Sequence, residues 1–202
     1  MRRLVLATTN KGKIREYLKL LRGFAVEIVG LEQYPGLTPV AEIGHTFLEN
    51  AVLKAKAVAE QTKELTLADD SGLEVDALGG EPGIYSARYG QPGWNDRQRY
   101  EYLLQRLQGV ESGKRQARFR CVIALYDPAG SRLETAEGTV EGRIATAPQG
   151  EQGFGYDPVF YLPELGRTFA ELPESQKNLL SHRALAVAAL KEKLSLILGG
   201  DN

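Results

Sequence analysis

Two adjacent carboxylates, Asp69 and Asp70, follow the apolar run Leu65 to Ala68 and lead through Ser71-Gly72 toward the glycine-rich stretch Gly79-Gly80-Glu81-Pro82-Gly83. Neighbouring aspartates repel each other and compete with regular backbone pairing. At a strand end they are best accommodated where a cation or a solvated cleft absorbs their charge. An Asx turn capping the strand exit accounts for Asp-Asp-Ser-Gly equally well.

Three further segments have residue types that could do chemistry. Thr8-Thr9-Asn10-Lys11-Gly12-Lys13 reads as a loop between a strand and a helix start. Free backbone N–H groups, the positive end of the helix dipole and two lysines could converge there on an anion such as phosphate. It is not a Walker A loop, because Ile14 follows Lys13 and the glycine spacing is missing. The plain alternative is an N-cap with solvated lysines. Glu42 stands before Gly44-His45-Thr46-Phe47-Leu48-Glu49. With Asp70 it offers the sparse oxygen ligation that Mg2+ takes, the rest being water and substrate phosphate. From the residues alone Glu42 is equally a loop acid, and Glu49 reads as the capping-box partner of Thr46. Zinc does not suit the chain, whose only histidines are His45 and His182. Phe154-Gly155-Tyr156-Asp157-Pro158 puts two aromatics and a carboxylate on one loop, fit to stack on and read a nucleobase or, more plainly, to plug a core edge.

Lys177, His182 and Arg183 complete the set. On one unbroken helix, at about 100° per residue, His182 and Arg183 would stand roughly 140° and roughly 240° from Lys177 and could not share a ligand. A break near Ser181, with a new helix starting at His182, would remove that obstacle. A continuous helix with a solvated basic face is the alternative.

The elements that must position these residues alternate in type. Leu4 to Ala7 predicts a buried strand, and Ile14, Tyr17, Leu18 and Leu21 mark a first helix. Leu48, Val52, Ala55 and Ala59 predict the buried stripe of a second helix, and Leu65 to Ala68 the strand feeding the aspartates. Arg99 to Leu107 reads as helix, Arg118 to Tyr126 and Leu133 to Ile144 as a hairpin across Asp127-Pro128-Ala129-Gly130, and Pro173 to Leu198 as helical. The expected fold is α/β, a mixed twisted sheet flanked by helices. With 202 residues, 43% of them hydrophobic, one domain or two closely joined lobes suffice. Twenty-five Lys and Arg against 26 Asp and Glu give a net charge of -1, which disfavours a nucleic-acid polymer as partner. The single cysteine, Cys121, lies in an apolar run and reads as a buried inert thiol. The N-terminal apolar run is too short for a signal-peptide core, and no segment approaches a membrane span, so the cytoplasm is expected.

Taken together, the Thr8 to Lys13 segment, Glu42 to Ala51, Ala68 to Tyr89, Gly153 to Pro158 and Ser181-His182-Arg183 resemble, in order and spacing, the inosine triphosphate pyrophosphatase (Ham1) family. The resemblance runs nearly end to end. It implies a single domain of two lobes over residues 1–202 with a central cleft, assembled as a homodimer. It also implies Mg2+-dependent hydrolysis of inosine, deoxyinosine and xanthosine triphosphates to monophosphate and pyrophosphate. Position by position, it makes Asp70 the general base and a metal ligand, and Glu42 the second metal ligand. Thr8, Thr9, Asn10, Lys11, Gly12 and Lys13 become the triphosphate segment, with Ser71 beside the substrate. Phe154 becomes the base-stacking aromatic, Gly155, Tyr156 and Asp157 its wall, and Lys177, His182 and Arg183 the remaining contacts. Asp69 is expected to support its neighbour. Donors from His182 and Arg183 would favour bases with a 6-carbonyl. Rejection of guanine would come from the 2-position, for which a backbone N–H near Phe154 is the expected donor. A Maf-like pyrophosphatase of other specificity and a non-catalytic nucleotide sensor are the competing readings.

Overall fold

The computed structural model describes residues 1–199. Seven strands form one sheet in the order β2-β1-β3-β4-β5-β6-β7. In chain order they are β1 (Arg2–Leu6), β2 (Val26–Gly30), β3 (Leu65–Val75), β4 (Gln116–Asp127), β5 (Arg132–Ile144), β6 (Phe160–Leu162) and β7 (Arg167–Thr168). The helices are α1 (Lys11–Leu20), α2 (Phe47–Thr62), α3 (Asp96–Arg106), α4 (Glu174–Leu180) and α5 (His182–Gly199). The β1 strand pairs in parallel with both β2 and β3, whereas β5 with β6 and β6 with β7 are antiparallel. A turn over residues 128–131 joins β4 to β5, too short for anything but antiparallel neighbours. The mixed α/β sheet expected from the sequence is therefore present. Among the described residues no helix is long and apolar enough to cross a membrane.

The chain divides into two compact units, and β3, β4 and β5 each contribute residues to both. The first comprises Met1–Asp70, Cys121–Gly138 and the chain from Arg183. Its core joins Leu4, Leu6, Leu65, Leu67, Ile123 and Leu125 of the strands to Tyr17 and Leu21 near α1 and to Val187, Leu190 and Leu194 of α5. Cys121 lies in that core, and burial pushes its thiol up to about 12, so it is the inert group expected. The second unit comprises Ser71–Arg120 and Thr139–His182. Its core centres on Leu73, Leu103, Phe119, Val159, Phe160 and Phe169.

Four expectations need correction. The aspartates do not sit at a strand exit, because β3 runs on from Leu65 through Asp69 and Asp70 to Val75. The Thr8 to Lys13 segment is not all loop, because α1 begins at Lys11. Leu18 is 46% and Leu48 47% exposed, and the buried stripe of α2 is Phe47, Asn50, Ala51, Ala55, Val58 and Ala59. Tyr17, Leu21, Ala55 and Ala59 are buried as expected, but polar Glu16 and Asn50 take the buried positions that apolar spacing assigned to Leu18 and Leu48. Finally, α3 starts three residues before Arg99, at Asp96, where Asn95 and Gln98 form a capping box.

Candidate active site

Within β3, successive side chains point to opposite faces of the sheet. Asp69 shares its phase with Leu65 and Leu67, and Asp70 shares its phase with Thr66 and Ala68. The repulsion between sequence neighbours is relieved because each carboxylate meets its own set of partners. Asp69 Oδ2 lies 2.8 Å from Lys13 Nζ of α1, 3.8 Å from Arg183 Nε of α5 and 3.9 Å from the Cys121 thiol. Arg183 also meets Glu16 of α1 at 3.1 Å; Asp69, Cys121, Glu16 and Arg183 are buried and Lys13 is partly so. Burial alone would raise the Asp69 pKa. The Lys13, Arg183 and Lys54 charges outweigh it and bring the carboxyl down to about 2.

Asp70 faces α2. Its Oδ2 accepts from Asn50 Nδ2 at 3.0 Å, and its Oδ1 lies 3.9 Å from Lys54 Nζ. Lys54 also donates to Glu42 Oε1 at 2.6 Å and to the Asp69 carbonyl at 2.7 Å. Asn50 Oδ1 in turn accepts from the Gly44 backbone N–H at 2.8 Å. A side chain at position 44 would meet Asn50 Oδ1 2.8 Å from its Cβ, so glycine is required for this approach. The loop bearing Glu42 is thus tied to the helix that faces Asp70. Burial raises the Asp70 pKa above the ordinary carboxylate value despite the opposing Lys54 charge and Asn50 hydrogen bond.

The Thr8 to Lys13 segment is organised around its own backbone. Asn10 Oδ1 accepts from the N–H groups of Gly12 and Lys13, and Thr8 Oγ1 accepts from Asn10 N–H. Asn10 is the N-cap of α1, so two donors that the sequence offered to an anion are already satisfied. Thr9 and Lys11 are exposed. Glu49 caps α2 from one residue further than expected: Thr46 Oγ1 accepts from Glu49 N–H, while the Glu49 carboxylate accepts from His45 N–H.

In the second unit, Phe154 is flanked by Gly153 and Gly155, both with positive φ. Asp157 Oδ2 accepts from Phe154 N–H at 2.8 Å and pairs with Lys177 Nζ at 2.5 Å. That ammonium stands 4.8 Å from the centroid of the Phe154 ring. Gly155 N–H donates to Asp96 Oδ2 at 2.8 Å, and Tyr156 donates from its hydroxyl to the Ser86 carbonyl. The N–H groups of Phe154 and Gly155 therefore each donate to a carboxylate. The helix does break, since Ser181 is extended at φ -68°, ψ 153° between α4 and α5. The break gives the three side chains different partners: Lys177 joins Asp157, His182 stacks on Phe119 at 4.8 Å, and Arg183 joins Glu16 and Asp69. Ser71 follows Asp70 directly in β3 and is partly buried.

Comparison with known proteins settles the family. The sequence profile of the Ham1 family matches residues 4–193. The chain belongs to the Ham1 family. A relative from Desulforamulus reducens named dITP/XTP pyrophosphatase is 52% identical over 96% of this chain and 96% of its own length. The Bacillus subtilis protein of the same name is 44% identical over 96% of this chain and 98% of its own length. Among solved structures, a HAM1 protein from Coxiella burnetii superposes with a TM-score of 0.86 at 39% identity, covering 99% of this chain and 100% of that one. The Staphylococcus aureus Ham1 protein gives 0.84 at 40% identity, covering 99% of this chain and 100% of that one.

In this Ham1-family chain, sequence reasoning gave no role to Lys54, Asn50 or Glu16. A usable signal existed. Phe47, Asn50, Ala51, Lys54, Ala55 and Val58 follow the i, i+3, i+4, i+7, i+8, i+11 pattern of one helix face, so a buried amide and a half-buried ammonium share the face of an apolar stripe. Lys13, Glu16, Tyr17, Leu20 and Leu21 repeat the pattern on α1. Polar groups are kept at such positions only where partners compensate their desolvation.

The carboxylates can also be tested against a metal. Among the described residues no group of three or more His, Cys, Asp and Glu is gathered to hold an ion. Glu42 and Asp70 converge instead on one ammonium, that of Lys54. Two carboxylates already facing a shared cation fit the protein share of a Mg2+ site completed by water and phosphate.

Proposed function

We propose that this chain is a nucleoside triphosphate pyrophosphatase that hydrolyses deaminated purine nucleotides, ITP, dITP and XTP, to monophosphate and pyrophosphate. The observation that carries the reading is Asp70: a buried carboxylate with a raised pKa, oriented by Asn50 and beside Lys54, in a chain whose near relatives are named dITP/XTP pyrophosphatases. In this reading Asp70 takes a proton from water as its oxygen bonds the α-phosphorus and the bridging oxygen leaves with pyrophosphate. A divalent cation, Mg2+, held by Glu42 and Asp70, would neutralise phosphate charge when bound. Lys54 holds the Glu42 carboxylate against the Asp69 carbonyl and so keeps the two acids in register. Lys13 meets the phosphates from the N-terminal turn of α1. Phe154 stacks on the base, and His182 and Arg183 donate to its 6-carbonyl, with Glu16 and Asp69 orienting the guanidinium. The balanced net charge supports a free nucleotide rather than a nucleic-acid polymer as substrate. The homodimer rests on the family resemblance.

The test is a panel of ITP, dITP, XTP, GTP, ATP and UTP with Mg2+, with products identified by chromatography. Monophosphate and pyrophosphate from the deaminated purines, well ahead of GTP and ATP, are expected. Diphosphate and orthophosphate, a preference for UTP, or binding without products would overturn the reading.

Lys13 carries two loads, which gives a second expected result. Lys13→Ala raises the KM for every triphosphate, because a charge-assisted contact of about 1.5–3 kcal/mol is lost, and leaves the ITP to ATP ratio in place. It also lowers Tm, since Asp69 loses its nearest cation. Steady-state kinetics and thermal melts check both. A changed base preference with unaltered KM would remove Lys13 from the phosphates.

A further inference from the structure

Two carboxylates clasp the backbone on the two sides of the Phe154 ring, and they differ in kind. Asp157 holds Phe154 N–H from within the loop itself and is buried against Lys177. Asp96 holds Gly155 N–H from outside, as the first residue of α3, with its side chain 55% exposed. Arg99, one helical turn on, lies 3.5 Å from Asp96 Oδ1 and leaves Oδ2 aimed at Gly155. The contact spans 59 residues of sequence, so nothing local requires it. It acts on a glycine with φ +63°, a conformation open to glycine and strained for other residues. With Phe154 N–H and Gly155 N–H both committed, the backbone that carries the ring is held by a carboxylate at two successive residues.

We infer that Asp96 is a specificity-determining positioning residue: by fixing Gly155 it sets the plane that Phe154 offers to the base, and Arg99 steadies it. The inference rests on the proposed base-stacking role of Phe154. Its partners are Gly155 N–H beside the ring and Arg99 of its own helix, so it acts on recognition and leaves the chemical step alone.

The experiment compares Asp96→Ala and Asp96→Asn with Gln98→Ala, which breaks the α3 capping box while leaving Asp96 in place. Kinetics are read on ITP, XTP, GTP and ATP, and Gly155 amide exchange is read by NMR on the nucleotide-free protein. Asp96→Ala should raise KM for ITP and XTP on the order of 3- to 10-fold, as for one charge-assisted hydrogen bond at a half-exposed site, with kcat within about twofold. It should also narrow the gap to GTP and ATP and speed Gly155 exchange. Asp96→Asn, which keeps an acceptor oxygen, should fall between. Gln98→Ala should lower Tm without changing the nucleotide ratios. Unchanged KM and ratios in Asp96→Ala, or an equal change in Gln98→Ala, would overturn the inference. If the wild-type protein shows no preference for ITP and XTP, the proposed function falls instead, and unaltered Gly155 exchange would still sink the clasp on its own.

Discussion

Asp70→Asn yields a folded protein that no longer turns over triphosphate. The amide keeps the carboxylate's shape and still offers Asn50 an acceptor oxygen, so the packing between β3 and α2 survives. It cannot accept the proton of the attacking water, and it is a poor ligand for a hard cation. Loss of a positioned general base alone costs on the order of 10²–10⁴-fold in rate, and the weakened cation site deepens the deficit. Single-turnover rates on ITP give the chemical step, and a thermal melt reports the fold. A Tm close to wild type with the rate lost is the expected pair of results. Near-normal turnover would remove Asp70 from the general-base role.

Asp69→Asn has the opposite profile, a large loss of stability. Asp69 was expected to lend its neighbour mild support, but the structure makes it the hub of a buried cluster with Lys13 and Arg183. Removing one partner of a buried charge pair costs about 3–5 kcal/mol, because the remaining charges are left uncompensated. The pH dependence gives a second readout. The folded-state carboxyl, near 2, lies below the ordinary 3.8. The stabilisation is therefore fully present above about pH 4 and is lost as pH falls through the folded value, amounting to about 2 kcal/mol by linkage. Wild-type stability should fall across roughly pH 4 to 2, and this component should be missing from Asp69→Asn. Denaturant unfolding at several pH values measures both. An unshifted midpoint at pH 7 would show that the Asp69 cluster contributes nothing to the fold.

The alternation of strands and helices was legible because burial imposes period 2 on strands and 3.6 on helices. Leu4 to Leu6 was legible as a continuous apolar run and the β4-β5 hairpin as two apolar segments about a turn, whereas the break at Ser181 was one of two readings that the sequence left open. The helix phases were read less well. The inward faces of α1 and α2 carry buried Glu16 and Asn50 and half-buried Lys13 and Lys54, which apolar spacing does not mark. Each is held there only because a charge or amide from another element meets it, and no single helix contains that information.

The aspartates show the same division. Their composition and order, with the phosphate-segment, Phe154 and Ser181-His182-Arg183 motifs, determined the family and the residue types available for chemistry. That Asp69 and Asp70 have different roles was decided only by the continuation of β3 through both, which turns adjacent carboxylates to opposite faces of the sheet. Cations from α1 and α5 then hold Asp69 ionised, while burial beside α2 raises the pKa of Asp70. Likewise, the sequence determined that an aromatic sits between two glycines at Phe154, and only the tertiary structure brought Asp96 to Gly155 across 59 residues. Local sequence sets propensity and periodicity. Electrostatic partnership depends on distance in space, and side chains far apart in the chain meet only when the sheet and its helices have packed.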